Sequence, residues 1–283
     1  FKQKTAYEIM PSLVGSEMCI RDSAYSALYS EKVARENNGK FIVRIEDIDN
    51  TRCKQKYIDC IFDDLSWLGV KWCDEALIQS TRIEKYQLAS EKLLSLGMLY
   101  PCFCTRKEIA SNSDVTTREL HNENNSLYPG TCRNLSHEEA LEKISKGMPY
   151  SLRLNSAKAR EKVGRIYWSD YWSGAHEVDY DVLGDVVIVR KDIGTSYHLA
   201  VTVDDDFQGV NLVTRGLDLF ETTHVHRILQ SLLNLNIPEW SHHELIRYVE
   251  GKRYSKSDQS VSLEKLRESG VSAEDIRKDL GFD

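Results

Sequence analysis

Apolar residues in this chain occur in short continuous runs and in longer stripes with helical spacing. The run Phe41-Ile-Val leads into Arg44-Ile-Glu46-Asp47-Ile-Asp49, so it ends in carboxylates. A continuous apolar run followed by a helical pattern is typical of a buried parallel strand, and α/β proteins bind ligands at the carboxyl ends of such strands. A strand ending in solvent would have the same sequence, so this segment alone does not establish a site.

Stripes with a spacing of three or four residues follow and precede this run. They predict helices over Ala24–Glu36, between Arg52 and Gly69, and over Arg82–Leu96. Two later segments, Gly184–Arg190 and Val210–Gly216, are rich in β-branched residues and predict strands. Strands that alternate with helices indicate an α/β fold.

Three later segments are harder to interpret. Ser196–Val203 fits either a helix or a strand, and the adjacent aspartates Asp204–Asp206 predict a solvated turn, with a cation site as the alternative. Arg165–Val178 is rich in aromatic residues and has no clear period, which predicts irregular structure. Its tryptophans, Trp168 and Trp172, are expected in a small buried core, although exposed rings could stack on nucleic-acid bases.

Composition excludes several classes of protein. The chain has 283 residues, of which 41% are hydrophobic and 29% charged, and its net charge is -7. That charge argues against non-specific nucleic-acid binding, although a local basic face could still hold RNA. No apolar run approaches the roughly 18 residues of a membrane span. Without a secretory signal, the seven cysteines indicate a reduced compartment. We expect a cytoplasmic monomer without a membrane contact.

Two cysteine segments have the spacing of a metal site. Cys102 and Cys104 are one residue apart, and Cys132 lies beyond a polar segment. Such spacing resembles a zinc knuckle, in which thiolates on two turns hold a tetrahedral ion. Tyr128 is the nearest candidate for the fourth ligand, with His121 or water as competitors. The alternative is a set of buried or free cysteines.

A basic loop near the end of the chain contains glycine and serine. Lys252, Arg253 and Lys256 lie within Val249–Ser257. In a protein this acidic, such a loop suits a polyphosphate ligand whose charge must be neutralised. An exposed surface turn is the alternative.

The order of these segments resembles the catalytic domains of class I glutamyl-tRNA synthetases. The similarity covers Ala24–Asp283, and within this family it favours the shortened paralogues, the glutamyl-Q tRNA(Asp) synthetases. An end soon after the basic loop, without an anticodon-binding domain, is expected for those paralogues. The matching segments, in chain order, are Arg44-Ile-Glu-Asp-Ile-Asp49, Cys102-x-Cys104, Tyr128-x-Gly130-x-Cys132, Tyr197-His-Leu-Ala200, Val203-Asp-Asp205, Phe207-Gln-Gly-Val210, Arg215-Gly-x-Asp218-Leu219 and Lys252-x-x-Ser255-Lys256.

This resemblance implies a Rossmann-type class I aminoacyl-tRNA synthetase catalytic domain with a zinc-containing insertion, acting as an ATP-dependent ligase. L-glutamate would react with ATP, accompanied by Mg²⁺, to give glutamyl-adenylate. The glutamyl group would then pass to queuosine at the wobble position of tRNA(Asp). Such chemistry requires positioning and charge neutralisation and no protein nucleophile.

The resemblance also implies roles for the residues of the glutamate site. Glu46 would hold the substrate ammonium group, and Tyr197 would orient the amino acid. Arg215 would bind a substrate carboxylate, since its planar guanidinium bonds both oxygens. The zinc ligands implied by the resemblance are Cys102, Cys104, Tyr128 and Cys132.

The ATP site implied by the resemblance lies in the basic loop. Lys256 would be the catalytic residue, because it would stabilise the charge that develops on the phosphates. Ser255 and Arg253 would complete the ATP contacts. The family pattern is Lys-Met-Ser-Lys-Ser, so Arg253 replaces the first lysine and keeps its charge.

The resemblance divides the chain into three parts after residue 23. The catalytic core would comprise 24–100 and 185–240. Residues 101–184 would form the insertion with the zinc knuckle, and 241–283 the lysine loop and C-terminal helices.

The first 23 residues resemble translated sequencing adapters. Lys2–Ile9 resembles a flow-cell adapter, and Leu13–Ser23 resembles a transposon-end adapter. We therefore expect residues 1–23 to be foreign to the native protein. The family's first signature, Arg-Phe-Ala-Pro-Ser leading to a His-x-Gly turn, is missing at this position. The chain is expected to lack the first strand, part of the glutamate site and the turn that cradles ATP, and to be nearly inactive.

Two further functions fit the same sequence. One is a non-catalytic zinc-containing module that binds RNA or protein. The other is a truncated glutamyl-tRNA synthetase that charges tRNA(Glu). Glutamate activation without tRNA separates the first from the ligase, and the identity of the tRNA acceptor separates the second.

Overall fold

The computed structural model describes residues 5–7, 22–112, 127–245 and 262–282. Strands β1 to β11 are Thr5–Tyr7, Lys40–Ile42, Arg44–Ile45, Leu77–Ile78, Leu99–Cys102, Ser151–Leu154, Tyr167–Asp170, Gly174–Glu177, Val187–Val189, Leu212–Gly216 and Glu239–His243. Helices α1 to α10 are Asp22–Glu36, Gln55–Trp67, Ile83–Ser95, Arg106–Asn112, His137–Ser145, Ser156–Val163, Tyr197–Phe207, Thr222–Leu233, Leu263–Glu268 and Ala273–Asp279.

The main sheet has the strand order β2-β1-β10-β11-β7-β8. Its strands are parallel except β8, which runs antiparallel to β7. The chain passes from β1 through α1 to β2 on one side, whereas β10 pairs with the other side of β1. The carboxyl ends of β1 and β10 therefore flank a topological switch point, where doubly wound sheets bind ligands. This arrangement is the Rossmann-type α/β fold predicted above.

A short strand occupies the position at which we expected none. In β1, Tyr7 is in register with Ile42 of β2 and Val213 of β10. The expectation that the first strand is lacking is thus wrong for the backbone, because strand pairing uses main-chain groups that any sequence supplies. The family signature is still absent from the sequence, and the adapter origin of residues 1–23 stays a prediction, as does the division into domains.

The apolar run at Phe41 forms two strands instead of one. After β2, the backbone leaves the main sheet, and Arg44–Ile45 pairs in parallel with Leu77–Ile78. The main-chain oxygen of Val43 accepts from Leu77 N at 3.2 Å, so the segment after α2 supplies the new partner. Glu46 and the aspartates that follow therefore extend from β3 and not from the main sheet.

The segment that begins at Tyr197 is helix α7, and it contains the aspartates expected in a turn. Asp204 is fully buried. Its carboxylate accepts hydrogen bonds from Tyr86 at 2.7 Å, Arg82 at 2.8 Å and Gln79 at 3.0 Å. The solvated-turn prediction is wrong because these distant donors replace water around the carboxylate.

The aromatic segment is a β-hairpin formed by β7 and β8, so the prediction of irregular structure is also wrong. Trp168 is buried with 2% exposure, whereas Trp172 is 66% exposed. Alternate residues of a strand point to opposite faces, which explains how Tyr167 and Ser169 face outward while Trp168 enters the core. The buried-core prediction therefore holds for Trp168 and fails for Trp172.

Apolar residues pack on both faces of the main sheet. Leu212 belongs to a cluster with residues of α1, α2 and the C-terminal helices. The next residue, Val213, belongs to a second cluster with residues of α3, α7 and α8. A smaller third cluster contains Cys102, Tyr128 and Cys132. It adjoins the antiparallel sheet β5-β6-β9.

Candidate functional site

Arg215 is a buried cation at the carboxyl end of β10, next to the switch point. It is the next-to-last residue of the strand Leu212–Gly216 and is 1% exposed. Its Nε donates to His242 Nε2 at 3.2 Å, and its Nη1 donates to His226 Nδ1 at 3.2 Å. Its Nη2 donates to the hydroxyl of Thr223. Three uncharged acceptors thus fix the plane of the guanidinium.

The two histidines beside Arg215 are held by further hydrogen bonds. His242 Nδ1 lies 2.8 Å from Asp170 Oδ2, which also accepts from the main-chain N–H of His242 at 3.1 Å. His226 Nε2 lies 3.2 Å from His198 Nδ1. With its Nδ1 proton directed to Asp170, His242 presents Nε2 as an acceptor to Arg215.

Burial keeps these imidazoles neutral. Desolvation, together with the neighbouring charge of Arg215, lowers the pKa of His242 to about 3 and that of His198 to about 4. The same two causes lower the pKa of His226 well below its ordinary value. Although burial alone would raise the pKa of Asp170, hydrogen bonds from His242 and nearby main-chain N–H groups lower it. The surroundings of Arg215 therefore carry little compensating negative charge apart from Asp170, which is separated from Arg215 by the ring of His242.

In the part of the chain that the structure describes, Arg215 forms no ion pair with a carboxylate. The nearby Asp205 instead bonds Arg44 at 2.9 Å. A buried, unpaired charge is costly unless a partner completes its site. The arrangement therefore has the chemistry needed to bind a carboxylate or another anion.

Glu46 and Tyr197 are the other expected glutamate ligands. Each is connected to the surroundings of Arg215 by contacts with other residues. Glu46 is 3% exposed, and its Oε1 accepts from Arg44 Nη2 at 3.3 Å. Arg44 also bonds Asp205 on α7, so Glu46 is connected to the helix that begins with Tyr197. The ring centre of Tyr197 lies 5.5 Å from that of His226.

The structure thus brings both Tyr197 and Arg215 next to His226. Sequence reasoning missed the residues that surround Arg215, namely Thr223, His226, His242 and Asp170. His224, two residues before His226 on the same helix, points away from Arg215, since its Nδ1 accepts from the Asp179 main-chain N–H at 3.0 Å. The only sequence signal that could have indicated His226 and His242 is the dense histidine content near residues 224 and 242.

Gly216 follows Arg215 at a point where the backbone is closely approached. A Cβ built on Gly216 would lie 2.6 Å from Asp218 Oδ1 and 2.8 Å from Leu245 Cδ2. Real Cβ atoms essentially never approach so closely. The buried cation Arg215 is therefore followed by a position that has no room for a side chain.

Three cysteines and one tyrosine meet as the spacing predicted. The sulfur atoms of Cys102, Cys104 and Cys132 all lie within 4.8 Å of one another. Cys104 Sγ lies 3.6 Å from Cys132 Sγ and 3.7 Å from the hydroxyl of Tyr128. Zinc–sulfur bonds of about 2.3 Å in a tetrahedron separate two sulfurs by about 3.8 Å. The donor set and its spacing fit a tetrahedral metal ion.

The cluster contains thiols with unequal acidity. Burial raises the pKa of Cys104 to about 11. Burial would also raise the pKa of Cys102, but hydrogen bonds with Tyr128 and Arg153 lower it. The guanidinium of Arg153 lies 3.9 Å from the centre of the Tyr128 ring, so a cation supports the negative charge that a deprotonated ligand set would carry.

Asp185 connects the cysteine cluster to the core. Its fully buried carboxylate accepts from Tyr100 at 2.5 Å and from Arg133 Nε at 2.6 Å. Ser156 adds bonds from its main-chain N–H and its hydroxyl, at 3.0 and 2.8 Å. Tyr100 and Arg133 belong to the two segments that carry the cysteines, so one carboxylate holds both.

The remaining predicted site residues lie outside the described residues. These are His121, Arg253, Ser255 and Lys256, and their roles stay predictions. Among the helices that the structure describes, none is both long and apolar enough to span a membrane.

Comparison with known proteins identifies the family. The catalytic domain of class I tRNA synthetases (E and Q) matches residues 22–281. A glutamyl-Q tRNA(Asp) synthetase of Rhodobacter capsulatus is 38% identical over 265 residues, covering 92% of this chain and 94% of that protein. A glutamate–tRNA ligase of Coprothermobacter proteolyticus is 34% identical over 247 residues, covering 87% of this chain and 52% of the ligase.

A solved structure has the same fold. The crystal structure of a glutamate tRNA ligase from Elizabethkingia meningosepticum in complex with its amino acid has a TM-score of 0.70 and 27% identity, covering 87% of this chain and 50% of that one. This chain spans about half the length of such ligases, 52% of one and 50% of the other. With a family match over nearly all of the described residues, the chain belongs to the catalytic-domain family of the class I tRNA synthetases for glutamate and glutamine.

Proposed function

We propose that the native protein activates L-glutamate with ATP and transfers the glutamyl group to queuosine at the wobble position of tRNA(Asp). The observation that carries this proposal is Arg215, a buried guanidinium at the switch point with uncharged partners and no ion pair among the described residues. A carboxylate ligand would complete its coordination by bidentate hydrogen bonds. Membership of a family whose named relatives act on glutamate and tRNA supports the same ligand.

Three residues are proposed to bind glutamate. Arg215 binds a substrate carboxylate. Tyr197, at the start of α7 and beside the ring of His226, orients the amino acid. Glu46 bonds the substrate ammonium group, while Arg44 holds its carboxylate in the buried position described above.

The basic loop is proposed to bind ATP. A carboxylate oxygen of glutamate attacks the α-phosphorus of ATP, and pyrophosphate leaves with the displaced electron pair. Lys256 stabilises the charge that develops on the phosphates, assisted by Ser255, Arg253 and Mg²⁺. A hydroxyl of the queuosine cyclopentene diol then attacks the adenylate carbonyl, loses its proton, and AMP leaves.

The cysteine cluster is proposed to hold one structural zinc ion. Cys102, Cys104, Cys132 and Tyr128 supply the donors, and Asp185 orients both segments that carry them. Zinc in such a site contributes folding free energy, and a closed set of four ligands leaves no position for a substrate.

The choice of tRNA(Asp) is supported by similarity. Identity is 38% to the R. capsulatus glutamyl-Q tRNA(Asp) synthetase and 34% to the C. proteolyticus glutamate–tRNA ligase. The segments Phe207–Val210 and Tyr197–Ala200 have the pattern of the shortened paralogues. Charging of tRNA(Glu) is the competing outcome.

Two assays test the proposal. Glutamate-dependent exchange of pyrophosphate into ATP should occur without tRNA when residues 1–23 are replaced by the upstream sequence of the genomic locus. It should be nearly absent from the chain with its present first 23 residues. Lys256→Ala should lower exchange about 100-fold or more, while the exposed Lys278→Ala serves as the matched control.

Labelled glutamate should then be transferred to tRNA(Asp) that contains queuosine and not to tRNA(Asp) that lacks it. Transfer to tRNA(Glu) instead would establish the truncated-synthetase alternative. No exchange by the restored protein would leave the non-catalytic module as the function.

A further inference from the structure

We propose that His226 and His242 are specificity-determining positioning residues. They hold Arg215 by hydrogen bonds but do not neutralise its positive charge, and Arg215 therefore selects a carboxylate over a carboxamide. This inference rests on the proposed function and deepens it, because it assigns the discrimination between glutamate and glutamine to particular residues.

The protein contacts of Arg215 leave some of its hydrogen-bond donors available for a ligand. A guanidinium has five N–H donors and no acceptor. His242, His226 and Thr223 take three donor directions, one on each nitrogen. The N–H groups that remain on Nη1 and Nη2 are donors only. They suit the two acceptor oxygens of a carboxylate, whereas the NH₂ group of an amide would place donor against donor.

The partners of Arg215 also leave its positive charge without a neutralising carboxylate among the described residues. Arginines in proteins are commonly held by carboxylates, as Arg44 is by Glu46 and Asp205. A carboxylate at the position of His226 or His242 would hold Arg215 equally well. It would also neutralise the guanidinium and remove most of its attraction for a second anion. A neutral imidazole accepts the same hydrogen bond from Arg215 and leaves the positive charge of the guanidinium uncompensated.

Both imidazole rings are constrained to act as neutral acceptors. Asp170 fixes the Nδ1 proton of His242, so that Nε2 accepts from Arg215. His226 directs Nε2 toward His198 and Nδ1 toward Arg215. Asp170 lies behind His242, and Asp205 is occupied by Arg44. The nearby carboxylates on the described elements are thus separated from Arg215 by a ring or engaged by another arginine.

The test uses pairs of variants that differ in charge but not in shape. At His226, Arg215 bonds the Nδ1 atom, whose place the Oδ1 atom of asparagine or aspartate can take; at His242 it bonds Nε2, whose place glutamine or glutamate can take. The pairs are His226→Asn with His226→Asp, and His242→Gln with His242→Glu. Equilibrium dialysis of the protein in which residues 1–23 are replaced by the upstream sequence of the genomic locus, with labelled L-glutamate and labelled L-glutamine, gives the preference for glutamate. This restored protein is the parent of all four variants, and thermal unfolding shows which variants fold.

The neutral variants should keep the parent's preference within about threefold, whereas each acidic variant should lower it about tenfold or more, mainly through weaker glutamate binding. Equal preference in a neutral variant and its acidic partner would overturn the inference while the proposed function stands. If one pair does not fold, the other pair gives the answer. Should the parent show no saturable glutamate binding, the proposed function fails, and this inference fails with it.

Discussion

Arg133 Nε lies 2.6 Å from Asp185 Oδ2, so the residue next to Cys132 is fixed to a fully buried carboxylate that also accepts from Tyr100. This pair couples the stability of the core to the geometry of the cysteine cluster. Although burial would raise the pKa of Asp185, the hydrogen bonds from Tyr100 and Arg133 lower it, so its charge is held in the folded state.

Asp185→Asn should therefore destabilise the protein by about 2 to 4 kcal/mol, since it removes a buried charge whose donors would lose their acceptor. Urea unfolding measures the free energy. Asp181→Asn is the matched control, because Asp181 pairs with Arg160 on the surface, where the two side chains are 73% and 52% exposed, and should cost less than about 1 kcal/mol. A similar cost for the two variants would contradict the role assigned to Asp185.

Removal of one thiol should remove the metal. Protein purified with zinc should contain about one ion per chain, and Cys132→Ala should contain almost none. Cys60→Ala is the control, because Cys60 lies outside the cluster. Elemental analysis of the purified proteins measures the content.

Tyr128→Phe separates the tyrosine from its competitors as the fourth ligand. If the phenol oxygen binds the ion, this variant should lose zinc about tenfold more readily to a chelator, because it lacks only that oxygen. Unchanged zinc affinity would assign the fourth position to water or to another residue.

Stability should decrease as the pH falls below 6.5. His242 and His198 have folded-state pKa values of about 3 and about 4, whereas an unfolded histidine has a pKa of about 6.5. Above pH 6.5 both states are neutral and these groups contribute no pH dependence. Between the folded-state and unfolded-state pKa values, the unfolded chain binds more protons than the folded protein. As the pH is lowered through this range, the free energy of unfolding therefore decreases by up to about 1.4 kcal/mol per pH unit for each histidine.

His242→Gln isolates one of these groups. Urea unfolding of the parent and the variant between pH 7 and 5 should give a shallower pH dependence for the variant. Asp205, whose pKa burial raises, acts in the opposite direction, but it does so in both proteins. Parallel pH profiles would show that His242 is not held neutral.

Gly216→Ala should displace the backbone beside Arg215, because the new Cβ would lie 2.6 Å from Asp218 Oδ1 and 2.8 Å from Leu245 Cδ2. We expect a loss of about 1 to 3 kcal/mol in the free energy of unfolding and weaker glutamate binding. At Gly147, with a φ of +74, a Cβ would meet nothing within 4 Å. Gly147→Ala thus costs only its backbone strain and should leave glutamate binding unchanged. Equal binding by both variants would argue against a role for the Arg-Gly turn.

Local pattern was sufficient to predict the helical stripes and the meeting of Cys102, Cys104 and Cys132. The roles of Arg215 and Tyr197 came from the family resemblance and stay predictions. Local pattern failed where a partner distant in sequence decided the structure. Asp204 forms part of a helix because Tyr86, 118 residues away, and the neighbouring Gln79 and Arg82 satisfy its carboxylate. The sequence around Asp204 contains no information about those distant donors.

The same reason explains the division of the strand at Phe41. The chain changes sheets at Val43 because Leu77–Ile78 arrives after α2 to pair with Arg44–Ile45. The neighbours of Arg215 also come together only in the folded chain, since His242 is 27 residues away from it. Motif order could indicate the arginine, but not the imidazoles that keep its charge available.

Two adjacent carboxylates on α7 face different parts of the protein, since consecutive helical residues are about 100° apart. Asp204 is bonded by Arg82 and Tyr86, and Asp205 by Arg44. The helix is thus prevented from turning about its own axis in either direction. Tyr197 lies at the other end of this rigid rod, about 10 Å along the axis. The orientation of Tyr197 is therefore fixed by side-chain bonds two helical turns away, and we expect a substitution of Asp204 or Asp205 to change it without touching Tyr197 itself.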